Sequence, residues 1–250
     1  MFWVGVNRRN EEKLPKLTLL TPTGGRPEAF AMCERYMARQ TFTDWRWIVV
    51  DDCRPETNCT IGQTVIRPDK PWLPGGIPTQ NRNLLLALDQ VNTEFVAFIE
   101  DDDWYGPKHL ETLCGHLEGV AIVGELPSRY YNVKHRMFRI MPPGGHASLC
   151  QTGFRAELLE RVKVICELND TTDVLLWHQV RSMSVFSRLY FGNHVIGIKG
   201  LPGRPGVGIG HYPKLRPTYW APDWKLETLA EWIGEDVELY RSYFDGRVTA

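Results

Sequence analysis

The sequence predicts an α/β fold built on a mostly parallel, Rossmann-like sheet, and three observations carry that expectation. Short apolar, β-prone runs alternate with amphipathic helical stretches through the first half of the chain. Two of those runs, Trp47 to Val50 and Phe95 to Ile99, pass straight into acids: Asp51 and Asp52 after one, Glu100, Asp101, Asp102 and Asp103 after the other. The carboxyl ends of strands in an open α/β sheet are where ligands bind, so both acidic runs arrive where chemistry is expected. The second half interleaves basic and aromatic residues and clusters its glycines, which suggests a smaller antiparallel sheet laid across the first.

Taken in order, LTLLT at 17 to 21 reads as a first strand that breaks at Pro22, Gly24, Gly25 and Pro27. A helix follows from Glu28 to Gln40, with Phe30, Cys33 and Met37 on one face. WRWIVVDDC is the second strand, and Val65 and Ile66 offer a short third inside a Pro- and Gly-rich stretch from Arg54 to Pro78. Leu84, Leu85, Leu88 and Val91 at helical spacing predict a helix from Thr79 to Val91, ahead of the central strand and its acids. After Pro107, Leu110, Leu113, Cys114 and Leu117 form one helical stripe, and VAIV between Gly119 and Gly124 is a fourth core strand. In the second half, SRYYNVKHRMFRIM, a PPGG turn and the returning HASLCQTGF read as antiparallel strands. Short helices are expected at Glu157 to Arg161 and Asp173 to Met183, and residues 191 to 211, rich in glycine, read as a loop that closes over a site. Leu226, Leu229, Ile233, Val237 and Tyr240 predict one amphipathic helix from Asp223 to Phe244.

Composition narrows the function. A chain of 250 residues with 43% apolar residues can fill a sizeable core, and one domain is expected. A net charge of -1 gives no support to a polyanion-coating protein. Six cysteines without a CxxC pair fit free thiols in a reducing compartment, and no apolar run approaches the ~20 residues that cross a bilayer. With no signal-peptide core between Met1 and Lys16, a soluble, cytoplasmic protein is expected. Four adjacent carboxylates at the end of a buried strand need a cation, and hard oxygen ligands beside a diphosphate suit Mn²⁺ or Mg²⁺. The simpler alternative is an acidic helix N-terminus that complements the dipole of the helix after Pro107.

With the acids placed, the order of the pieces resembles the GT-A glycosyltransferases, family 2 in particular. LTLLTPTGGRPEAF resembles that family's opening strand and P-T-x-N-R-P loop. RQTFTDWRWIVVDDC resembles its Q-T-(F/Y)-x-D-(W/F)-E-hydrophobic-V-D-D-x-S segment, and NRNLLLALDQVNTEFVAFIEDDDW its A-R-N-x-G … G-E-(Y/F)-hydrophobic-D-x-D-D segment. The resemblance covers roughly residues 17 to 117 and is weaker beyond. It implies a single GT-A domain with a nucleotide-sugar-binding half (17–124), an acceptor-side half (125–222) and a C-terminal helix (223–250).

Carried over by position, the resemblance implies that Pro22 and Thr23 line the base and ribose, with Arg26 close by, and that Asp52 accepts the N3–H of uracil. Arg82 would lie near the base or diphosphate. Glu100, Asp101 and Asp102 form the acidic donor motif, Asp101 towards the ribose, Asp102 on the metal and Asp103 in support. DTTDVLLWHQV resembles the family's E-D-x-D-L-W-L-R helix opening with Thr172 in place of the Glu, making Asp173 the candidate general base and Asp170 the second. A first-turn helix acid is the plainer reading of Asp173. A late histidine completes the metal site in some members, and His211 is placed for it, with His194 and His146 as rivals. Gly24 and Gly25 replace the bulkier Tyr-Asn usual after P-T, which opens the base pocket.

The function implied is metal-dependent, inverting transfer of a sugar from a nucleotide diphosphate sugar, a uridine one by the Asp52 reading, to a hydroxyl of a glycan, protein or small molecule. Two alternatives stand beside it. Arg129, Lys134, His135, Arg136 and Arg139 among Tyr130, Tyr131 and Phe138 could meet phosphates and stack bases, as in a viral-type enzyme that glycosylates hydroxymethylated DNA. Thr172 in place of an acid leans towards a non-catalytic sugar-nucleotide-binding module. A nucleotidyltransferase would open with a longer phosphate loop than TPTGGRPE.

Overall fold

The structure, a computed structural model, describes residues 14–76, 78–168, 171–206, 208–211 and 219–244. Asp170, most of the segment between Met1 and Lys16, and the last residues of the expected C-terminal helix lie outside the described residues.

A seven-stranded sheet forms the spine. Its strands are β1 (Leu17–Thr23), β2 (Trp45–Asp51), β3 (Thr64–Ile66), β4 (Phe95–Phe98), β6 (Ile122–Leu126), β9 (Thr152–Arg155) and β10 (Ser187–Phe191), in spatial order β10-β6-β9-β4-β1-β2-β3. β4, β1, β2 and β3 run parallel, as do β6 and β10, and β9 inserts antiparallel between β4 and β6. The expectation that HASLCQTGF returns on the hairpin before it is therefore corrected: its last residues join the main sheet. Gly153 permits that place, because a Cβ there would come within 2.6 Å of the Leu113 side chain.

Both faces of the sheet are covered, which explains why its strands read as near-continuous apolar runs. Leu17, Leu19, Trp47, Val49, Phe95 and Ala97 point to one core with α1 (Pro27–Ala38) and α3 (His109–Leu117). Leu20, Ile48, Val50, Val96 and Phe98 point to the other, with α2 (Gln80–Leu88), α4 (Leu159–Glu167) and α5 (Thr172–Ser182). The alternation is the period of two that a strand imposes on its side chains.

The second sheet holds β5 (Trp104–Tyr105), β7 (Arg129–Asn132), β8 (Met137–Ile140), β11 (Val195–Lys199) and β12 (Ala221–Pro222), in the order β12-β8-β7-β11-β5. It is antiparallel except where β11 runs parallel to β7. The reading of 191–211 as loop alone is corrected here, since β11 is a fully buried strand. Its glycine marks a close approach rather than a connector: a Cβ on Gly197 would lie 2.5 Å from the Tyr130 ring on the neighbouring strand.

The C-terminal segment buries the side chains expected, Leu226, Leu229, Ile233, Val237 and Tyr240, but not as one helix. α6 (Glu227–Ile233) ends at Gly234, where φ is +60°, a 3₁₀ stretch carries Gly234–Tyr240, and α7 (Arg241–Phe244) follows. Gly234 reaches the left-handed region without steric cost and ends the helix. Leu226, at φ +63°, fixes the start of α6. Among the described residues no helix is long and apolar enough to cross a membrane.

Candidate active site

The parallel strands β1, β2 and β4 end side by side, which brings Thr23, Asp52 and the acids after β4 to one edge. β11 of the second sheet ends there too, carrying Lys199. Two clusters result.

In the first, Asp101 accepts the Thr23 hydroxyl at 2.7 Å on Oδ2 and the Arg26 guanidinium at 2.8 Å on Oδ1. Arg26 also reaches Asp102 Oδ2 at 3.2 Å. The Lys199 ammonium lies 3.3 Å from Asp102 Oδ1 and 2.7 Å from Asp103 Oδ1, and the latter oxygen takes the Ile198 N–H as well. Gln80, at the start of α2, donates to Glu100 at 2.9 Å. Four carboxyl groups thus face two cations.

Their titration divides accordingly. Burial would push Asp102 up, yet Lys199 and Arg26 overcome it and bring its carboxyl down to about 2. Glu100, Asp101 and Asp103 are raised, burial being the largest cause in each. Burial lowers Lys199, but Asp102 and Asp103 outweigh it and keep the ammonium charged. Asp102 is therefore the firmly ionised member of a crowded set, and it is the acid for which a metal role was expected.

His211 comes to the same place. Its Nε2 lies 3.7 Å from Asp102 Oδ2, and burial with Lys199 lowers its imidazole to about 4, leaving the ring neutral and able to donate a lone pair. Gly206 is required beside it, because a Cβ there would lie 1.9 Å from that Nε2. The rivals lie elsewhere: His194 sits against Thr112 and its backbone N–H bonds Glu125, while His146 adjoins Asp173.

A carboxylate and a neutral imidazole facing one another fit a divalent cation, and a nitrogen ligand favours Mn²⁺ over Mg²⁺. A second group of potential ligand atoms, from Glu100, Asp103 and Cys150, lies within 4.8 Å of one another. It fits less well, because burial raises the Cys150 thiol and so disfavours the thiolate that would bind a metal, and sulfur is the wrong ligand for a hard ion.

The second cluster surrounds Asp52, which has no exposed surface. Its Oδ1 accepts Arg204 at 2.8 Å, and its Oδ2 accepts Arg82 at 3.0 Å and, in a very short bond, the Thr79 hydroxyl. Arg204 also bonds Thr79 Oγ1 at 2.7 Å and lies over the Trp72 ring, 4.3 Å from its centroid. Thr79 occupies the N-cap of α2 but gives its hydroxyl to Asp52 rather than to the helix. Pro22, the neighbour of Val50 in register, lies in β1 beside this cluster.

Asp173 opens α5 in its first turn, as its plainer reading held, and accepts the N–H of Val174 at 2.9 Å. Burial nonetheless raises its carboxyl, and it stands close enough to Glu100 to raise that group in turn. Thr172 bonds Asn81 at the start of α2 at 2.8 Å, so the residue in place of the family's acid ties α5 to the site.

The structure thus brings together Thr23, Arg26, Asp52, Arg82, Glu100, Asp101, Asp102 and His211. Sequence reasoning missed Lys199, Arg204, Thr79 and Trp72. Lys199 carried a usable signal, a charged residue ending a buried strand, the same one that singled out the acids. In the aromatic-basic block, Tyr131 is buried, the Tyr130 hydroxyl bonds Ser148 and Phe138 packs edge-on against Trp232.

A sheet of this order with acids at its carboxyl edge and a second sheet across it is the GT-A glycosyltransferase fold, and solved structures agree. No protein-family model and no curated protein sequence matches the chain. S. aureus TarS residues 1–349 superposes with a TM-score of 0.55 at 18% identity, over 73% of this chain and 60% of that one. TarS 1–349 with UDP-GlcNAc gives 0.52 at 18% identity, over 77% and 60%. The mannosyltransferase PcManGT of Pyrobaculum calidifontis, solved with GDP-Man and Mn²⁺, gives 0.54 at 14% identity, over 76% and 58%. The chain spans less than two thirds of the length of these proteins.

Proposed function

We propose that this protein is a glycosyltransferase that moves a sugar from a nucleotide diphosphate donor to a hydroxyl of a soluble acceptor, a glycan, protein or small molecule. The observation that carries the reading is that Asp102, Lys199 and His211 meet in one cluster and Asp52 holds a second, both at the carboxyl edge of a GT-A sheet. Similar structures were solved with UDP-GlcNAc and with GDP-Man and Mn²⁺, which supports a sugar nucleotide as the donor.

Asp102 and His211 would hold the divalent cation. When bound, the cation supplies Lewis-acid neutralisation of the leaving diphosphate. Arg26 and Lys199, both paired with Asp102, would add fixed positive charge beside the leaving diphosphate. Asp173, made more basic by burial, takes the proton of the acceptor hydroxyl, a step typically worth about 10²- to 10⁴-fold. The acceptor oxygen then bonds to the anomeric carbon while the bond from that carbon to the diphosphate breaks, its electron pair leaving with the phosphate. A single displacement of this kind inverts the anomeric centre. Retention of Asp173 beside Thr172 favours a transferase over a binding module that lacks the base.

The test is nucleotide diphosphate release from a panel of uridine and guanosine diphosphate sugars, with Mn²⁺ and with chelator. Metal-dependent release from one donor, lost in Asp102→Ala and reduced about 10²-fold or more in Asp173→Asn, is the expected result. Donor binding without turnover against glycan, protein and small-molecule acceptors would replace the transferase with a binding module.

A further inference from the structure

We infer that the guanidinium of Arg204 occupies the seat of the donor's base, a subsite formed by Asp52, Thr79 and the face of Trp72, and that a nucleotide enters by displacing it. The inference rests on the nucleotide-sugar reading and adds to it that the place beside Asp52 is already filled by a side chain of the protein.

A planar cation stacked on an indole, with one N–H on a carboxylate and another on a hydroxyl, makes the contacts a nucleobase would make there. Arg204 does so with Trp72 at 4.3 Å, Asp52 Oδ1 at 2.8 Å and Thr79 Oγ1 at 2.7 Å. Arg82 and Thr79 hold the other oxygen of Asp52, so Oδ1 is the one that Arg204 would release. Gly24 leaves this oxygen uncrowded on the side of the loop after β1, since a Cβ there would come within 2.6 Å of it. Trp72 is the aromatic ring against Arg204 in the seat.

The backbone of the Arg204 loop is pinned independently of its side chain. The Arg204 N–H donates to Gly25 O at 2.8 Å and the Arg26 Nε–H to Arg204 O at 2.9 Å. Gly203, at φ +103°, makes the approach possible, because a Cβ there would lie 2.2 Å from Gly25 O. The side chain can therefore leave while the loop stays docked. Asp52 as a carboxylate only accepts, so the incoming base must present an N–H to it. Uracil at N3 and guanine at N1 carry one in the ring, whereas cytosine and adenine offer an exocyclic amino group beside a ring acceptor that the carboxylate repels.

Calorimetric titration of UDP, GDP, CDP and ADP into wild type, Arg204→Ala, Arg204→Gln and Trp72→Ala tests this. UDP or GDP should bind Arg204→Ala and Arg204→Gln about tenfold more tightly than wild type, the gain expected when a seat closed about nine-tenths of the time is freed. Binding should be lost or strongly weakened in Trp72→Ala, and a gain confined to UDP or to GDP assigns the base. Unchanged or weaker binding in both Arg204 variants, or an equal gain for CDP and ADP, overturns the inference and leaves the nucleotide site standing. No binding of any nucleotide to any of the four proteins overturns the nucleotide reading itself.

Discussion

Glu125 lies in β6 without exposed surface, and its Oε1 accepts the N–H groups of His194 at 2.8 Å and Val195 at 3.1 Å. Burial outweighs those two bonds and pushes its carboxyl up to about 7. A raised acid favours the protonated form in the folded state, so its contribution to stability falls as pH climbs from the ordinary 4.5 through about 7. Glutamine at 125 keeps an acceptor for both N–H groups and carries no charge. Urea unfolding at a series of pH values should show Glu125→Gln gaining on wild type by about 3 kcal/mol across that window and no further above it. A difference that does not vary with pH would contradict the assignment. At this scale the sequence was informative wherever a residue's role follows from its place at a strand end. Asp52 and Asp102 were singled out by the apolar runs that end in them, whereas Arg26 was singled out only by the resemblance of its loop. Arg204 and Thr79 were not, because their partner Asp52 lies 152 and 27 residues away and only the fold brings them together.

At the scale of elements, the C-terminal segment shows what periodicity can and cannot predict. Its apolar spacing correctly named the buried side chains, but Gly234 at φ +60° divides the expected single helix. The 3₁₀ stretch that follows puts Asp236 where it accepts both Arg39 nitrogens and the Trp104 Nε1–H, the last at 2.7 Å, while the Tyr240 hydroxyl pairs with Tyr36 at 2.8 Å. This bonding ties the segment to α1 and β5. Asp236→Ala strands part-buried donors on Arg39 and Trp104 and should cost about 2 to 3 kcal/mol by chemical unfolding, with donor binding unchanged. A loss below the error of the measurement would show that solvent replaces the carboxylate at little cost. β11 was illegible for the opposite reason: Gly197 reads as a loop residue locally, and its need for no side chain appears only once Tyr130 is packed against it.

Across the whole molecule, the first half was legible because each parallel strand is buried on both faces and announces itself as an apolar run. The second half was less so, because its strands are short and one of them, β9, crosses back into the main sheet between β4 and β6. That crossing matters for the site: it leaves the carboxyl edge of β1, β2 and β4 to be faced by the second sheet, whose β11 delivers Lys199 to the acids. The central claim is that this edge holds a nucleotide diphosphate sugar and a divalent cation together. A crystal structure of the protein with Mn²⁺ and a non-hydrolysable UDP-sugar, read by manganese anomalous scattering, tests it most directly. The account predicts a manganese peak bound by Asp102 and His211 and in contact with the diphosphate, with the base beside Asp52. A nucleotide bound away from this edge, or a diphosphate there with manganese bound by Glu100, Asp103 and Cys150 instead, would contradict it.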